Sequence, residues 1–297
     1  MTKKIKADLA LFIVTMGWGA SFFLTKSSLA HLNTFNFLAI RFFVAFIISS
    51  LIFIKQMLCI DKATLKYGLL IGLVLYATFA LQTLGLNYTT ASKSAFITGI
   101  NVMLVPLLST ILLKKAPNKK TILSVIIAFI GLGLLTINKN IQGINIGDFY
   151  TFICAIACAF HILLTGKYTK KTNSIAFAVV QIGVCAVLSL ITSLVYEQPV
   201  LPTDFNIWRN IFILSVVCTS GAYIVQSVAQ RYTSATHTAL IYTTEPVFAA
   251  VFAYIFLHEV LSIKGYVGAL LIVSGMLFTE INFKKIFNNK KNVSVAD

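Results

Sequence analysis

Ser234-Ala235-Thr236-His237-Thr238-Ala239-Leu240-Ile241-Tyr242-Thr243-Thr244-Glu245-Pro246, which runs on apolar to Leu257, sets an acid and a proline inside one long apolar segment. A helix rises about 1.5 Å per residue and the hydrocarbon core of a bilayer is about 30 Å thick, so about 20 such residues make one crossing. Within the helix Pro246 removes a hydrogen bond and frees the carbonyl of Tyr242, which predicts a break beside Glu245. An ionisable group at that depth is costly and faces protein or a water-filled cavity, so Glu245 is a candidate functional residue. A purely structural role, a salt bridge or hydrogen bond bracing the broken helix, is the competing reading.

Composition sets the same context for the whole chain. Of its 297 residues 58% are apolar and only 11% charged, with mean hydropathy +0.88, too few polar groups to cover the surface of a soluble domain. The net charge of +15 does not mark a nucleic-acid partner, because the basic residues sit in short clusters between apolar runs rather than on one solvated face. The lipid bilayer is the expected partner. Ten stretches are predicted to cross it: 8–28, 35–54, 66–86, 92–113, 121–137, 147–166, 174–196, 207–229, 236–257 and 262–281. The lysine-rich start resembles a signal peptide but reads as an uncleaved first span, given the apolar segments that follow.

No G-x-x-x-x-G-K-[ST] phosphate loop is present, which excludes ATP as the chain's own drive, and no H-E-x-x-H or G-x-S-x-G motif points to an enzyme. The five cysteines fall mostly in apolar runs without C-x-x-C spacing, which predicts buried thiols and neither disulfides nor a zinc site. No cofactor or metal is expected.

Short cytoplasmic loops accumulate Lys and Arg. On the ten-span reading, 18 basic residues fall on one side of the membrane and 5 on the other, with Arg41 inside the second span. Both termini are therefore predicted to be cytoplasmic, in a multi-pass protein of the cell membrane.

The chain also repeats itself at an offset of 144 residues: Leu81-Gln82-Thr83 matches Val225-Gln226-Ser227, Tyr88-Thr89 matches Tyr232-Thr233, and Ser94-Ala95-Phe96-Ile97 matches Thr238-Ala239-Leu240-Ile241. That register sets Asn101 opposite Glu245. Five spans per copy is odd, so the second copy enters the membrane inverted, an arrangement typical of secondary transporters with the substrate site at the midplane. The expected fold is all-α, ten transmembrane helices as two inverted five-helix repeats, 1–140 and 141–283, followed by a basic tail, 284–297. Asn101 and Glu245 each lie about 14 Å into the core and are expected to face each other across a central cavity.

Candidate lining residues follow from polar and aromatic groups on those spans: Trp18, Ser21, Tyr76, Gln82, Ser94, Thr98, Asn101, His161, Tyr223, Gln226, Tyr242 and Glu245. Glu245 doubles as the proton-coupling candidate. His161 and His237 are possible shuttles, with hydrogen-bonded packing the plainer reading of each. Arg41 would hold a carboxylate if it faced the cavity, but its place near the end of its span favours structural support.

These residues resemble a known family, the ten-span drug/metabolite transporters with two EamA domains. The resemblance is carried by Trp18-Gly19-x-Ser21-Phe22 with Lys26, Ile40-Arg41-Phe42, Tyr88-Thr89-Thr90-Ala91-Ser92-Lys93, Tyr232-Thr233-Ser234-Ala235-Thr236, Glu245-Pro246-Val247, His258-Glu259 and Gly265-x-x-Gly268. The family ends both its fourth and ninth spans with Gly-Glu, whereas this chain has Lys114-Lys115 in the fourth. The resemblance implies export of amino acids or related small metabolites by alternating access. Import or facilitated exchange of the same substrates, and a sensor without transport, are the alternatives; the chain has no soluble output domain to support the last. The residues leave the oligomeric state open.

Overall fold

The computed structural model describes residues 2–112, 119–136 and 145–280, which form helices and connecting turns with no strand among them. In order they are α1 (Lys3–Leu29), α2 (Thr34–Ile52), the short α3 (Ile54–Leu58), α4 (Lys62–Tyr88), α5 (Ala91–Gly99), α6 (Asn101–Leu112), α7 (Lys119–Thr136), α8 (Ile146–Tyr168) and α9 (Ser174–Tyr196). Then come α10 (Phe205–Ile213), a π-helical stretch (Leu214–Gly221), α11 (Ala222–Ala229), α12 (Ala235–Tyr242), α13 (Glu245–Leu257) and α14 (Ile263–Glu280). Among the described residues eight helical segments are long and apolar enough to cross a membrane, and two shorter apolar stretches, Ile122–Leu134 and Ile263–Gly275, stand where the fifth and tenth spans are expected. The ends predicted at Leu113, Ile137 and Ile281, the lysines Lys114 and Lys115, and the tail 284–297 lie outside the described residues.

Local chemistry sets the helix starts. Ser, Thr, Asp and Asn side chains satisfy the unpaired amides of a first turn. Thr2 caps α1, so this helix begins before the apolar run does. Thr90 accepts from Lys93 N at 3.2 Å and Ser234 from His237 N at 3.1 Å, which starts α5 and α12 at positions 144 residues apart. The offset persists at the next boundary, where α6 begins at Asn101 and α13 at Glu245. The ninth expected span is thus two helices, as Pro246 predicts. The fourth is also two, which was not expected, because Pro106 sits inside α6 and the break precedes it. A second offset, 140, relates the starts of α2 and α9 at Thr34 and Ser174, each preceded by Asn at the cap.

The helices pack α7 on α14, α2 on α9, α4 on α8 and α9, and α1 on α13 and α11. Small residues let backbones meet where no water drives helices together. A methyl on Gly131 would lie 2.6 Å from Gly268 O, so α7 and α14 touch through their backbones. Outward faces are apolar: Leu51 is 68% exposed and Phe256 58%, a surface suited to lipid. Cys154, Cys185 and Cys218 are buried as expected, whereas Cys158 is partly exposed and Cys59 is exposed at the turn after α3.

α13 ends at His258, whose left-handed backbone (φ 54°) turns the chain so that Glu259 reaches α5. Its carboxylate accepts from Ala91 N (2.9 Å), Ser92 N (3.0 Å) and Ser92 Oγ (2.9 Å), stapling the α13–α14 turn to the start of α5. Glu259→Ala leaves two of these amides without their acceptor. The expected loss is about 1–3 kcal/mol, read as a lower melting temperature in detergent; an unchanged melting curve contradicts the staple.

Candidate functional site

Where the two helix breaks and α1, α4, α8 and α11 converge, the described residues enclose a cavity of about 40 Å³. Trp18 and Ser21 reach it from α1, Leu75, Thr78, Phe79 and Gln82 from α4, and Thr98 from α5. The other wall is Cys158, His161 and Ile162 of α8, Tyr223 and Gln226 of α11, and Tyr242 and Glu245 flanking the second break. This volume holds about three waters, by the space one water needs, and is far below the roughly 300 Å³ or more of a metabolite site. The cavity as it stands is therefore too small for a metabolite-sized guest.

Five rings stand in the wall. Trp18 stands 5.3 Å from the Tyr223 ring and 5.0 Å, edge-on, from Tyr242. Phe79 and His161 meet Tyr223 edge-on at 5.8 and 5.7 Å. Trp18 is held by its indole N–H, which donates to Cys218 O at 3.0 Å in the π-helical stretch, where the wider turn interrupts the regular hydrogen-bond ladder. His161 is held from behind by Gln181 Oε1, 2.8 Å from its Nε2. Trp18→Phe keeps a ring against Tyr223 and Tyr242 but removes this tether. It is expected to weaken substrate affinity about tenfold, the value of one buried hydrogen bond to a positioning group, measured as a rise in the half-saturating concentration for flux.

Polar groups in the wall lack partners. The hydroxyl of Tyr242 and Oε1 of Gln226 are buried without a hydrogen bond. Among the described residues the Glu245 carboxylate likewise makes no hydrogen bond or ion pair. With Thr98 Oγ1, these groups have no partner among the described residues and are free to bond water or a polar guest in the cavity. Among the described residues no lysine or arginine reaches the lining. Arg41 lies behind it, Nε donating to Thr219 Oγ1 at 2.9 Å and the guanidinium 4.8 Å from the Phe79 ring, which separates it from the space.

Nine of the twelve residues proposed from the sequence line this cavity: Trp18, Ser21, Gln82, Thr98, His161, Tyr223, Gln226, Tyr242 and Glu245. Three do not. Tyr76 turns away and shares a 2.6 Å hydrogen bond with Thr192 of α9. Ser94 is fully buried one turn from Thr98 and outside the lining. Asn101, expected to face Glu245, folds back on its own helix, its amide donating to Thr98 O at 2.8 Å and contacting Cys158 Sγ at 3.5 Å. The chemistry explains the contrast: an amide always has a proton to give the carbonyl three residues back, whereas a carboxyl group has one only when protonated. His237 is not at the cavity but at the start of α12, 3.1 Å from Asp8. Sequence reading passed over Cys158 and Thr78; the 140-residue offset makes Cys158 the counterpart of Trp18, a signal that the 144-residue register does not contain. Among the described residues no three His, Cys, Asp or Glu side chains converge as a metal site.

Comparison with known proteins places this geometry in a family. The model of the EamA-like transporter family matches residues 5–137 and again 145–281. An uncharacterized transporter of Archaeoglobus fulgidus is 30% identical over 279 residues, 94% of this chain and 87% of its own. The uncharacterized transporter YyaM of Bacillus subtilis is 24% identical over 285 residues, covering 91% of this chain and 93% of its own. One solved crystal structure matches 95% of this chain and 98% of its own with a TM-score of 0.69 at 17% identity, a likeness of fold. The chain is a multi-pass membrane protein and belongs to the EamA-like transporter family.

Proposed function

We propose that the protein is a secondary transporter exporting small metabolites that carry an amino group, amino acids or related amines, by alternating access to the Glu245 cavity. The carrying observation is the carboxylate of Glu245, which among the described residues has no hydrogen-bond or ion-pair partner and no cationic side chain beside it in the cavity lining. A carboxylate with flanking aromatic faces attracts an ammonium group through charge and through the ring quadrupoles. Arg41 stands behind Phe79 and outside the lining, which favours recognition of the amino end by Glu245.

The recurring helix boundaries support two inverted five-helix repeats, 1–140 and 141–283, with both termini cytoplasmic as the basic loops require. Lining residues pair across the halves, Gln82 with Gln226 and Thr98 with Tyr242, as expected of a site on a pseudo-twofold axis. Protons are the proposed coupling ion and Glu245 their carrier.

The test is flux in vesicles of known orientation holding the full-length protein, with a panel of labelled amino acids and the matching decarboxylated amines. Inside-out vesicles are expected to accumulate at least one panel member when their interior is acidified. Transport in right-side-out vesicles only makes the protein an importer, and exchange without response to the gradient makes it a facilitator. Binding without flux of any panel member returns the sensor reading.

A further inference from the structure

Resting on that reading, with both termini cytoplasmic, the geometry points to two equivalent latches, Asp8–His237–Thr233 on the cytoplasmic side and Asp148–Lys93–Thr89 on the exterior side, which close in alternation. The two offsets of the helix starts place these residues opposite each other. At 140, the relation of α2 to α9, Asp8 of α1 corresponds to Asp148 of α8. At 144, the relation of α5 to α12, Thr89 and Lys93 correspond to Thr233 and His237.

In the exterior set every bond is made. Lys93 Nζ lies 2.8 Å from Asp148 Oδ2, and Thr89 Oγ1 donates to Asp148 Oδ1 at 2.6 Å. The backbone carbonyl of Thr89 accepts from Lys26 Nζ at 2.9 Å, which ties α1 to the same corner. In the cytoplasmic set only half is made. His237 Nε2 is 3.1 Å from Asp8 Oδ2, while Asp8 Oδ1 and Thr233 Oγ1, the two atoms equivalent to the Thr89–Asp148 bond, are both buried without a partner. The side chains of the cytoplasmic pair are 35% and 27% exposed, against 14% and 4% at the exterior pair.

Helix packing divides the same way. On the exterior side α4 and α8 cross at Gly85 and Gly147, where a methyl on Gly147 would sit 2.6 Å from Gly85 O. At the equivalent crossing of α1 and α11 Ala7 and Ala229 are buried, but a groove of about 390 Å³ lined by Lys3, Lys6, Val228 and Tyr232 opens beside them. One side is sealed and the other is less tightly closed, with the unmade bond beside the groove. In the opposite state Thr233 Oγ1 donates to Asp8 Oδ1 and α1 closes on α11, while Thr89 and Lys93 release Asp148 and α4 parts from α8. Lysine brings three donors to its latch and imidazole fewer, which biases the resting protein toward the exterior-closed state.

Hydrogen–deuterium exchange of the full-length protein in lipid nanodiscs tests this, read in residues 85–93 and 146–151 on the exterior side and in 3–10 and 225–233 on the cytoplasmic side. Thr89→Val and Asp148→Asn are expected to raise exchange on the exterior side and lower it on the cytoplasmic side. His237→Lys, which strengthens the slack latch, is expected to do the same from the other end, by about threefold or more in each segment for a shift of about one RT between two states. Should Asp148→Asn unfold, His237→Lys alters only a half-exposed pair and carries the same reciprocal expectation. Changes confined to the mutated side overturn the latch. Reciprocal exchange without flux of any panel member sinks the transport reading and leaves the latch standing; flux without reciprocity sinks the latch alone.

Discussion

Glu245→Gln is expected to reduce flux about 10- to 100-fold while leaving the protein as stable as before or more so. The first effect follows from the loss of charge: a charge-assisted hydrogen bond to a substrate ammonium contributes about 1.5–3 kcal/mol, and every 1.4 kcal/mol is about tenfold. The second follows from the absence of partners among the described residues, because an unpaired buried carboxylate opposes folding and glutamine has nearly the same shape. A bracing role for Glu245 makes the reverse prediction, a lower melting temperature with flux per folded molecule unchanged. Both quantities can be measured on one reconstituted preparation. Gradient-driven accumulation is expected to vanish in this variant, and Glu245→Asp, which keeps the charge on a shorter arm, to retain part of it. Undiminished accumulation by Glu245→Gln removes the carboxylate from the mechanism.

Gly19→Ala is expected to cost about 1–3 kcal/mol or more, the range for overpacking a close contact, and Gly17→Ala next to it to cost nothing. A methyl on Gly19 would lie 2.5 Å from Phe248 Cβ and 2.9 Å from Ala249 N, so the backbone of α13 must move. That crossing of α1 and α13 places Trp18 and Glu245 in one cavity. At Gly17 the nearest atom is Val217 Cγ1 at 3.8 Å, an ordinary contact. Alanine there removes the entropic penalty of a helical glycine, about 0.5–1 kcal/mol. Thermal unfolding in detergent separates the pair: Gly17→Ala melts at or above the parent and Gly19→Ala well below it. Equal melting temperatures contradict the tight α1–α13 crossing.

Much of the cavity lining was legible in the sequence. Glu245 and Pro246 mark the broken helix, the 144-residue repeat directs attention to Gln82 with Gln226 and Thr98 with Tyr242, and all five of Gln82, Gln226, Thr98, Tyr242 and Glu245 line the cavity. What misled was the assumption that repeat partners point the same way. Asn101 matches Glu245 in position and not in direction, because its amide has a helix carbonyl to satisfy. Tyr76 and Phe79 are one turn apart on α4, and only packing turns the phenylalanine inward and the tyrosine toward Thr192.

The order of apolar segments, their punctuation by proline and capping residues, and the clustering of lysines are properties of the chain itself, since a bilayer demands helices of a set length with their polar groups satisfied internally. From these the sequence by itself determined a helical membrane protein and its 144-residue sequence repeat. Rotation of each helix about its axis is a different matter. Where lipid and protein core are equally apolar, no amphipathic stripe says which face turns inward. Only the tertiary contacts decided that, through Gly19 against α13, the indole of Trp18 on Cys218 O, and the paired corners at Asp148 and Asp8.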